Sequence, residues 1–374
     1  MKKTFRYSVA SLLLATTTTL IASEAYTPIA YGVKNRGMGG VSIANVQGAQ
    51  SAFANPALLS FTQKNEISIG GTYSKQNTNS TAYDGTDVVE YDNFAHTISP
   101  YIVGNYHLGK SFNLGLGLTD YTLKNSMEYL GYNLITVQLR KTRVTLPVSY
   151  AVDNFSMGVS LIYEKFNYKF DDNVVGADSL NISDSSFGYD LGFAYNFKDT
   201  GLVIAADFKS EIKHPLTDQS VLNQGVEFNA AREIGLGMSW HIMNSAHHIA
   251  LDYKKINSSE IAQDSQGKYT QDQNVFAIGY EYDAKTWQAR MGYKYISNLY
   301  DKVTNATMDL AYPFATTSHY TLGGSYQLND DFSADVAVVY AKYNHTTDNY
   351  DGINTYYTVK NNPVSISLGI NYTF

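Results

Sequence analysis

The chain has 374 residues, 16% of them charged and 14% aromatic, with 32 Tyr, 28 Gly, no Cys and a net charge of −7. Low charge combined with abundant Tyr, Gly, Ser, Thr and Asn suits pleated sheet better than helix, and so many aromatics exclude a disordered chain. Without Cys there is no disulfide and no thiolate-bound metal, and the negative balance argues against nucleic acid as a partner.

From the first residue, Lys2, Lys3 and Arg6 precede an uncharged stretch from Tyr7 to Ala22, and Ser23-Glu24-Ala25 places small residues where a signal peptidase cuts. Residues 1–25 read as a secretory signal peptide, because the apolar part is short and rich in Thr, whereas a spanning helix needs about 20 apolar residues. No later run reaches that length. An exported chain of this composition is therefore a soluble β protein or a barrel that crosses a membrane with strands.

Residues 26–65 show no alternation. They contain Gly32, Gly37, Gly39, Gly40 and Gly48 among many Ala, and run from Gly37-Met38-Gly39-Gly40 to Asn55-Pro56-Ala57-Leu58-Leu59. Small residues let backbone approach backbone. A compact segment packed inside a wide barrel is expected, since the lumen would otherwise hold open water.

From residue 66 onward the pattern changes to period two. At the C-terminus Val364, Ile366, Leu368, Ile370, Tyr372 and Phe374 share one parity, and Ser365, Ser367, Gly369, Asn371 and Thr373 the other. Strict alternation gives one apolar and one small or polar face. Reading the chain this way yields fourteen strands, at about 66–74, 94–108, 112–121, 135–152, 155–167, 186–197, 202–213, 226–241, 247–254, 272–282, 287–295, 316–328, 332–343 and 363–374. Short connections such as Gly109-Lys110-Ser111, Asp153-Asn154, Asn244-Ser245 and Asn329-Asp330-Asp331 alternate with long polar ones at 75–93, 168–185, 296–315 and 344–361. A membrane barrel has this rhythm of tight and long connections; a soluble sandwich has no reason for it. The expected fold is all-β: a fourteen-stranded antiparallel transmembrane barrel, residues 66–374, with an even count that lets the last strand close on the first. Tyr372 and the terminal Phe374 fit the aromatic ending common to bacterial outer-membrane barrels, read by the assembly machinery.

The lumen parity carries Arg143, Glu164, Asp190, Asp207, Asp252, Glu281, Arg290, Lys294 and Asp335. Buried charges are normally paired, so pairing with one another or with the 26–65 segment is the plain expectation; contact with a substrate headgroup is the alternative, with Arg290 and Lys294 offering a carboxylate partner. Arg232 falls on the apolar parity of its strand and is expected at the outer rim, since exposure mid-membrane would cost about 2–4 kcal/mol. Pro100 lacks the N–H a ladder needs. It marks either a bulge or strand rim, or a break in the wall between the strands at 94–108 and 112–121. Catalysis has no support: there is no Gly-x-Ser-x-Gly, and the adjacent His247 and His248 point to opposite faces. No cofactor and no metal site are expected.

Gly37-Met38-Gly39-Gly40, the small-residue stretch and Asn55-Pro56-Ala57 ahead of the first strand resemble the N-terminal hatch of FadL-type outer-membrane transporters. The resemblance is specific over about 30 residues and architectural beyond them. It implies a fourteen-stranded barrel plugged by residues 26–65, in the bacterial outer membrane as a monomer, passing hydrophobic small molecules such as long-chain fatty acids or aromatic hydrocarbons. It also implies sideways exit through a wall gap, for which Pro100 is the candidate. Shorter external loops than those of the best-known members set this chain apart. A general diffusion porin and a structural or secretion-partner barrel are the alternatives.

Overall fold

In a computed structural model the described residues are 29–83, 88–129, 132–172, 180–216, 226–227, 229–260, 263–264, 267–268, 270–299, 316–348 and 356–374. The export signal expected at 1–25, and most of the connection expected at 296–315, lie outside them.

Fourteen antiparallel strands close into a barrel. They are β1 (Glu66–Tyr83), β2 (Val88–Leu108), β3 (Phe112–Tyr129), β4 (Tyr132–Val152), β5 (Phe155–Asp172), β6 (Leu180–Phe197) and β7 (Leu202–Lys209). There follow β8 (Glu233–His241), β9 (His247–Ile256), β10 (Gln273–Asp283), β11 (Trp287–Ile296), β12 (Ser318–Gln327) and β13 (Phe332–Asp348). β14 has two parts, Tyr356–Asn361 and Val364–Thr373, interrupted at Pro363. Each strand pairs with its predecessor, and β14 pairs with both β13 and β1, so no edge is left open. Closure gives every ladder N–H and C=O a partner without water. At the tight-turn end, Asp153 and Asn244 take the left-handed conformation with φ of 54° and 58°.

The outer face near the tight turns is apolar. Leu322 and Leu368 leave 64% and 62% of their surface exposed, in a band with Leu118, Leu161, Phe187, Leu236 and Phe276. The same strands turn Ser149, Ser156, Ser160, Asp190, Asp207 and Asp335 inward and buried. Only hydrocarbon outside makes this arrangement favourable.

Towards the long connections the sense reverses. On β3 to β6, Leu123, Val137, Leu139, Phe166, Tyr168 and Ile182 point inward and are buried, while Lys124, Arg140, Lys165 and Lys169 point outward and are exposed. The barrel thus changes from a membrane-type wall to a wall of the water-soluble kind within single strands.

That reversal explains where the sequence-based bounds fall short. Residues 75–83 and 88–93, expected as connection, are paired strand, as are 168–172 with 180–185 and 344–348 with 356–361. Once a strand rises clear of hydrocarbon its outer face no longer has to be apolar, and the pattern that betrays strands fades although the ladder continues. The expected strand 226–241 is also too long. Val226–Glu227 pairs with Pro215–Leu216, Ile212 bridges to Ala230, and the wall strand begins only at Glu233. Ile212 is buried, and a Cβ on inward-facing Gly188 of β6 would meet it at 2.6 Å, so the segment after β7 turns into the lumen. Arg232 stands just before β8, half-buried at the long-connection end, its carbonyl accepting from the Asn257 N–H at 2.9 Å.

Candidate functional site: a filled bore beneath an apolar lining

Residues 29–65 lie against the inner faces of the strands. The segment holds a five-residue helix α1 (Val33–Gly37) and two 3-10 turns, Gly48–Phe53 and Pro56–Phe61. Asn55 shows what Asn-Pro-Ala does at this spot. Its side-chain oxygen accepts from the Ala57 N–H at 3.0 Å, and its amide donates to the carbonyls of Ile43 at 2.9 Å and Ala206 on β7 at 3.2 Å. Pro56 follows at the first position of the turn, where no N–H is needed. Replacing Asn55 by Ala removes a cap and two interior bonds and is expected to cost about 1–2 kcal/mol. Limited proteolysis of the segment within an otherwise intact barrel measures that loss; unchanged resistance would contradict the role.

Glycines on the wall receive the segment. A Cβ at Gly323 of β12 would meet Gly37 Cα at 2.8 Å, and one at Gly158 of β5 would meet the Ala57 N–H and the Pro56 carbonyl carbon at 2.6 Å. At Gly292 of β11 a Cβ would collide with the Gly39 nitrogen, and at Gly192 of β6 with the Asn55 oxygen. Gly39 itself, with φ of +71°, comes so near the wall that its own Cβ would stand 2.7 Å from the Ile278 carbonyl oxygen. Backbone therefore packs on backbone at several points around the bore. Sequence reasoning missed these wall notches, although Gly at inward parity on β5, β6, β11 and β12 was the available signal.

Polar staples complete the seat. Thr321 accepts from the Gly39 N–H at 2.8 Å and donates to the Gly37 carbonyl at 3.0 Å. Asp252 accepts from the N–H groups of Ser42 at 2.6 Å and Ile43 at 3.1 Å. Lys294 donates to the Ile29 carbonyl at 2.7 Å, and Asp335 accepts from Gln50 at 3.4 Å and from Asn371 at 2.8 Å. Asp190 and Asp207 both face Lys209, which also donates to the Ala54 carbonyl at 2.5 Å. Arg36 of α1 reaches Ser367 at 2.9 Å and Ser365 at 2.8 Å, with no carboxylate beside it among the described residues. Burial pulls its pKa down to about 10, so it still carries its charge at neutral pH.

Arg290 and Lys294 are not available as a carboxylate pair. Arg290 holds Glu281 at 2.5 Å and also donates to Ser325 and Gln288, while Lys294 is bound to the segment. Charges so deep are retained only with partners, and these have them. On the same belt Ser239 lies 2.8 Å from His248, whose other ring nitrogen is 3.5 Å from Glu281. The order is that of a hydrolytic triad. All three are buried and Glu281 is committed to Arg290, so the series braces β8 to β11.

Above the segment the inner face of the inverted strands is apolar and closely packed, with Leu123, Leu139, Phe166 and Tyr168 all buried. Arg143 grips Glu164 at 2.9 and 2.6 Å, within electrostatic reach of Tyr31 of the segment. His214, on the inturned segment, sits 3.3 Å from Glu164 and 3.0 Å from Asp184. One rung farther out, Tyr121, Lys141 and Phe166 form a cross-strand row. Lys141 is buried, its ammonium 6.0 Å from the Phe166 ring centre, and it makes no hydrogen bond or ion pair with a described residue. Leu123, Leu139 and Tyr168 form the next row out on the same inner face, and Thr119, Arg143 and Glu164 the next row in. Lys141 is thus a buried cation that makes no ion pair with a described residue, set between this apolar row and the Arg143–Glu164 pair; it was absent from the sequence-based candidates.

Pro100 points outward beside Gly71. The β2–β3 ladder runs from Ile98–Thr122 to Tyr101–Thr119 without pairing at Ser99 and Pro100, and resumes in the same register. It is an interruption, not a bulge. Pro147 interrupts β3–β4 in the same way, between Leu114–Val148 and Gly117–Thr145. Tyr372 and Phe374 lie on the outer face with ring centres 5.6 Å apart.

The closed fourteen-strand barrel is shared with solved structures. A Pseudomonas aeruginosa FadL homologue superposes with a TM-score of 0.70 at 14% identity, over 92% of this chain and 98% of that one. The fold is that of the FadL-type channels. The Pseudomonas putida toluene transporter TodX gives 0.65 at 14% identity, over 92% and 99% of the two chains. The Ralstonia pickettii toluene transporter TbuX gives 0.64 at 15%, over 93% and 100%. No family model and no curated protein matches the sequence. At such identities the FadL-type likeness speaks for architecture, and the chemistry rests on this chain's own residues.

Proposed function

We propose that this FadL-type barrel lies in the bacterial outer membrane, loop end outward, and passes hydrophobic small molecules inward without an energy source. Residues 26–65 act as the hatch that keeps the bore closed to ions, after removal of 1–25, and residues 66–374 form the channel, with Tyr372 and Phe374 as the signal to the assembly machinery. The observation that carries the reading is the inversion of β3 to β6: an apolar inner lining lies above a bore that the N-terminal segment fills. A diffusion porin needs the bore clear. Lys141, beside Phe166 and one rung out from Arg143, suits the carboxylate of an amphipathic acid, with the tail along Leu123, Leu139 and Tyr168. Cargo then leaves sideways where Pro100 interrupts the wall, because hydrocarbon is a better destination for it than the polar bore below.

Mass spectrometry of small molecules retained by the detergent-purified chain tests the reading. A long-chain or aryl carboxylic acid is expected; a steady ion conductance with nothing retained would overturn it. Pro100→Val restores a donor to the ladder and is expected to slow uptake of the same acid about tenfold while retention is unchanged, a barrier of roughly one lost exit path. Equal uptake by a normally assembled variant removes the sideways exit.

A further inference from the structure

Outside the barrel, the apolar band ends in a bank of positive charge. Lys75 of β1, His96 of β2, Lys124 of β3, Gln138 of β4 and Lys169 of β5 follow one another across a single row of the sheet. Arg140 and Lys165 stand on the next two rows towards the band, opposite Thr122 and Thr142. All six basic side chains are exposed on the outer face.

On β5 the outward series runs Leu161, Tyr163, Lys165, Asn167, Lys169 and then Asp171; on β3 it runs Leu118, Asp120, Thr122, Lys124 and Glu128. Cations thus follow the apolar band on these strands, with Asp120 the one acid on the band side of them and paired with Arg140. Arg140 has a partner in Asp120 at 3.0 Å. Lys124, Lys165 and Lys169 have no ion pair or hydrogen bond with any described residue.

Like charges gathered across neighbouring strands repel and lower stability, and the chain as a whole is acidic, with a net charge of −7. An arrangement so costly to the protein alone becomes favourable when an anion lies against it. Lys124 and Lys169 are two strands, about 10 Å, apart with Arg140 between them, which spans more than one phosphate. We propose that the outer face of β3 to β5 binds the phosphorylated headgroup of a lipid in the leaflet nearest the long connections, with Lys124, Lys165 and Lys169 on the phosphates and Leu118, Leu161 and Phe187 on its acyl chains. This depends on the barrel lying in a membrane, not on what it conducts.

Native mass spectrometry of the full chain in non-ionic detergent, titrated with bisphosphorylated lipid A and with the same lipid stripped of phosphate, reads the site directly. The phosphorylated form is expected to bind at least about tenfold tighter, and the triple variant K124Q/K165Q/K169Q to lose about 100-fold of that affinity, the sum of three surface cations near an anionic headgroup. K124R/K165R/K169R is expected to restore it. Equal binding of the two lipids, full binding by the Gln variant, or capture of inorganic phosphate as tightly as the lipid would each overturn the proposal. Should the triple Gln variant fail to assemble, K124Q alone is expected to show a loss of about fivefold, and none would count against it.

Discussion

Gly292→Leu is expected to turn a closed barrel into an open pore. The Gly292 Cα faces the Gly39 nitrogen, and neither partner has a side chain that could move aside. Overpacking of a flexible core costs typically about 1–3 kcal/mol; here the obstacle is backbone on both sides, so the segment must leave its seat instead. The ladder bonds of β11 to β10 and β12 do not involve the side chain and survive. Planar-bilayer recording should show steady conductance at least about tenfold above the parent, as expected when a barrel of this width loses its filling. Gly323→Leu, against Gly37, should act in the same way. Gly104→Leu is the control, because a Cβ there meets nothing nearer than 3.5 Å. If Gly292→Leu conducts no more than the control, residues 26–65 are not what closes the bore.

Lys141→Met is expected to abolish the preference for acids over neutral hydrocarbons. The substitution keeps an unbranched side chain of similar length and removes only the charge. A hydrogen bond to a charged group is worth about 1.5–3 kcal/mol, so the acid should bind roughly 10–100-fold more weakly, while a neutral arene of equal size should bind as before. Calorimetry with matched acid and alcohol ligands separates the two. The pH dependence follows from the ligand: its carboxylate is ionised above about pH 5 and neutral below about pH 4, so affinity of the parent should fall as pH drops through that range, and the Met variant should show no such fall. An unaltered acid-to-alcohol ratio would place the headgroup elsewhere.

Much of this architecture is legible without coordinates. Period-two alternation in 363–374, 332–343 and 287–295 reports strands because hydrocarbon on one side and a polar bore on the other impose opposite demands on successive residues. Where those demands cease, as in 75–83, 168–172 and 180–185, strand continues unseen. The Asn55-Pro56-Ala57 signature is equally readable, since a side-chain cap followed by Pro is local chemistry. The candidate charges are a different case. Asp252 and Lys294 share a parity with Arg143 and Glu164, but the first two bond the backbone of the segment and the last two bond each other.

The sequence by itself determined the class of barrel, the number of strands, the inward and outward faces and the small-residue segment ahead of them, because each follows from periodicity or composition within a short window. Only the tertiary structure decided which wall glycines face Gly37, Gly39 and Asn55, which buried charges find partners, and that Lys141 makes no ion pair with a described residue. Those outcomes depend on cross-strand register and on contacts between residues hundreds of positions apart, such as Arg36 with Ser367. Neither quantity is encoded in any local stretch of chain; both are set by how closure aligns fourteen strands at once.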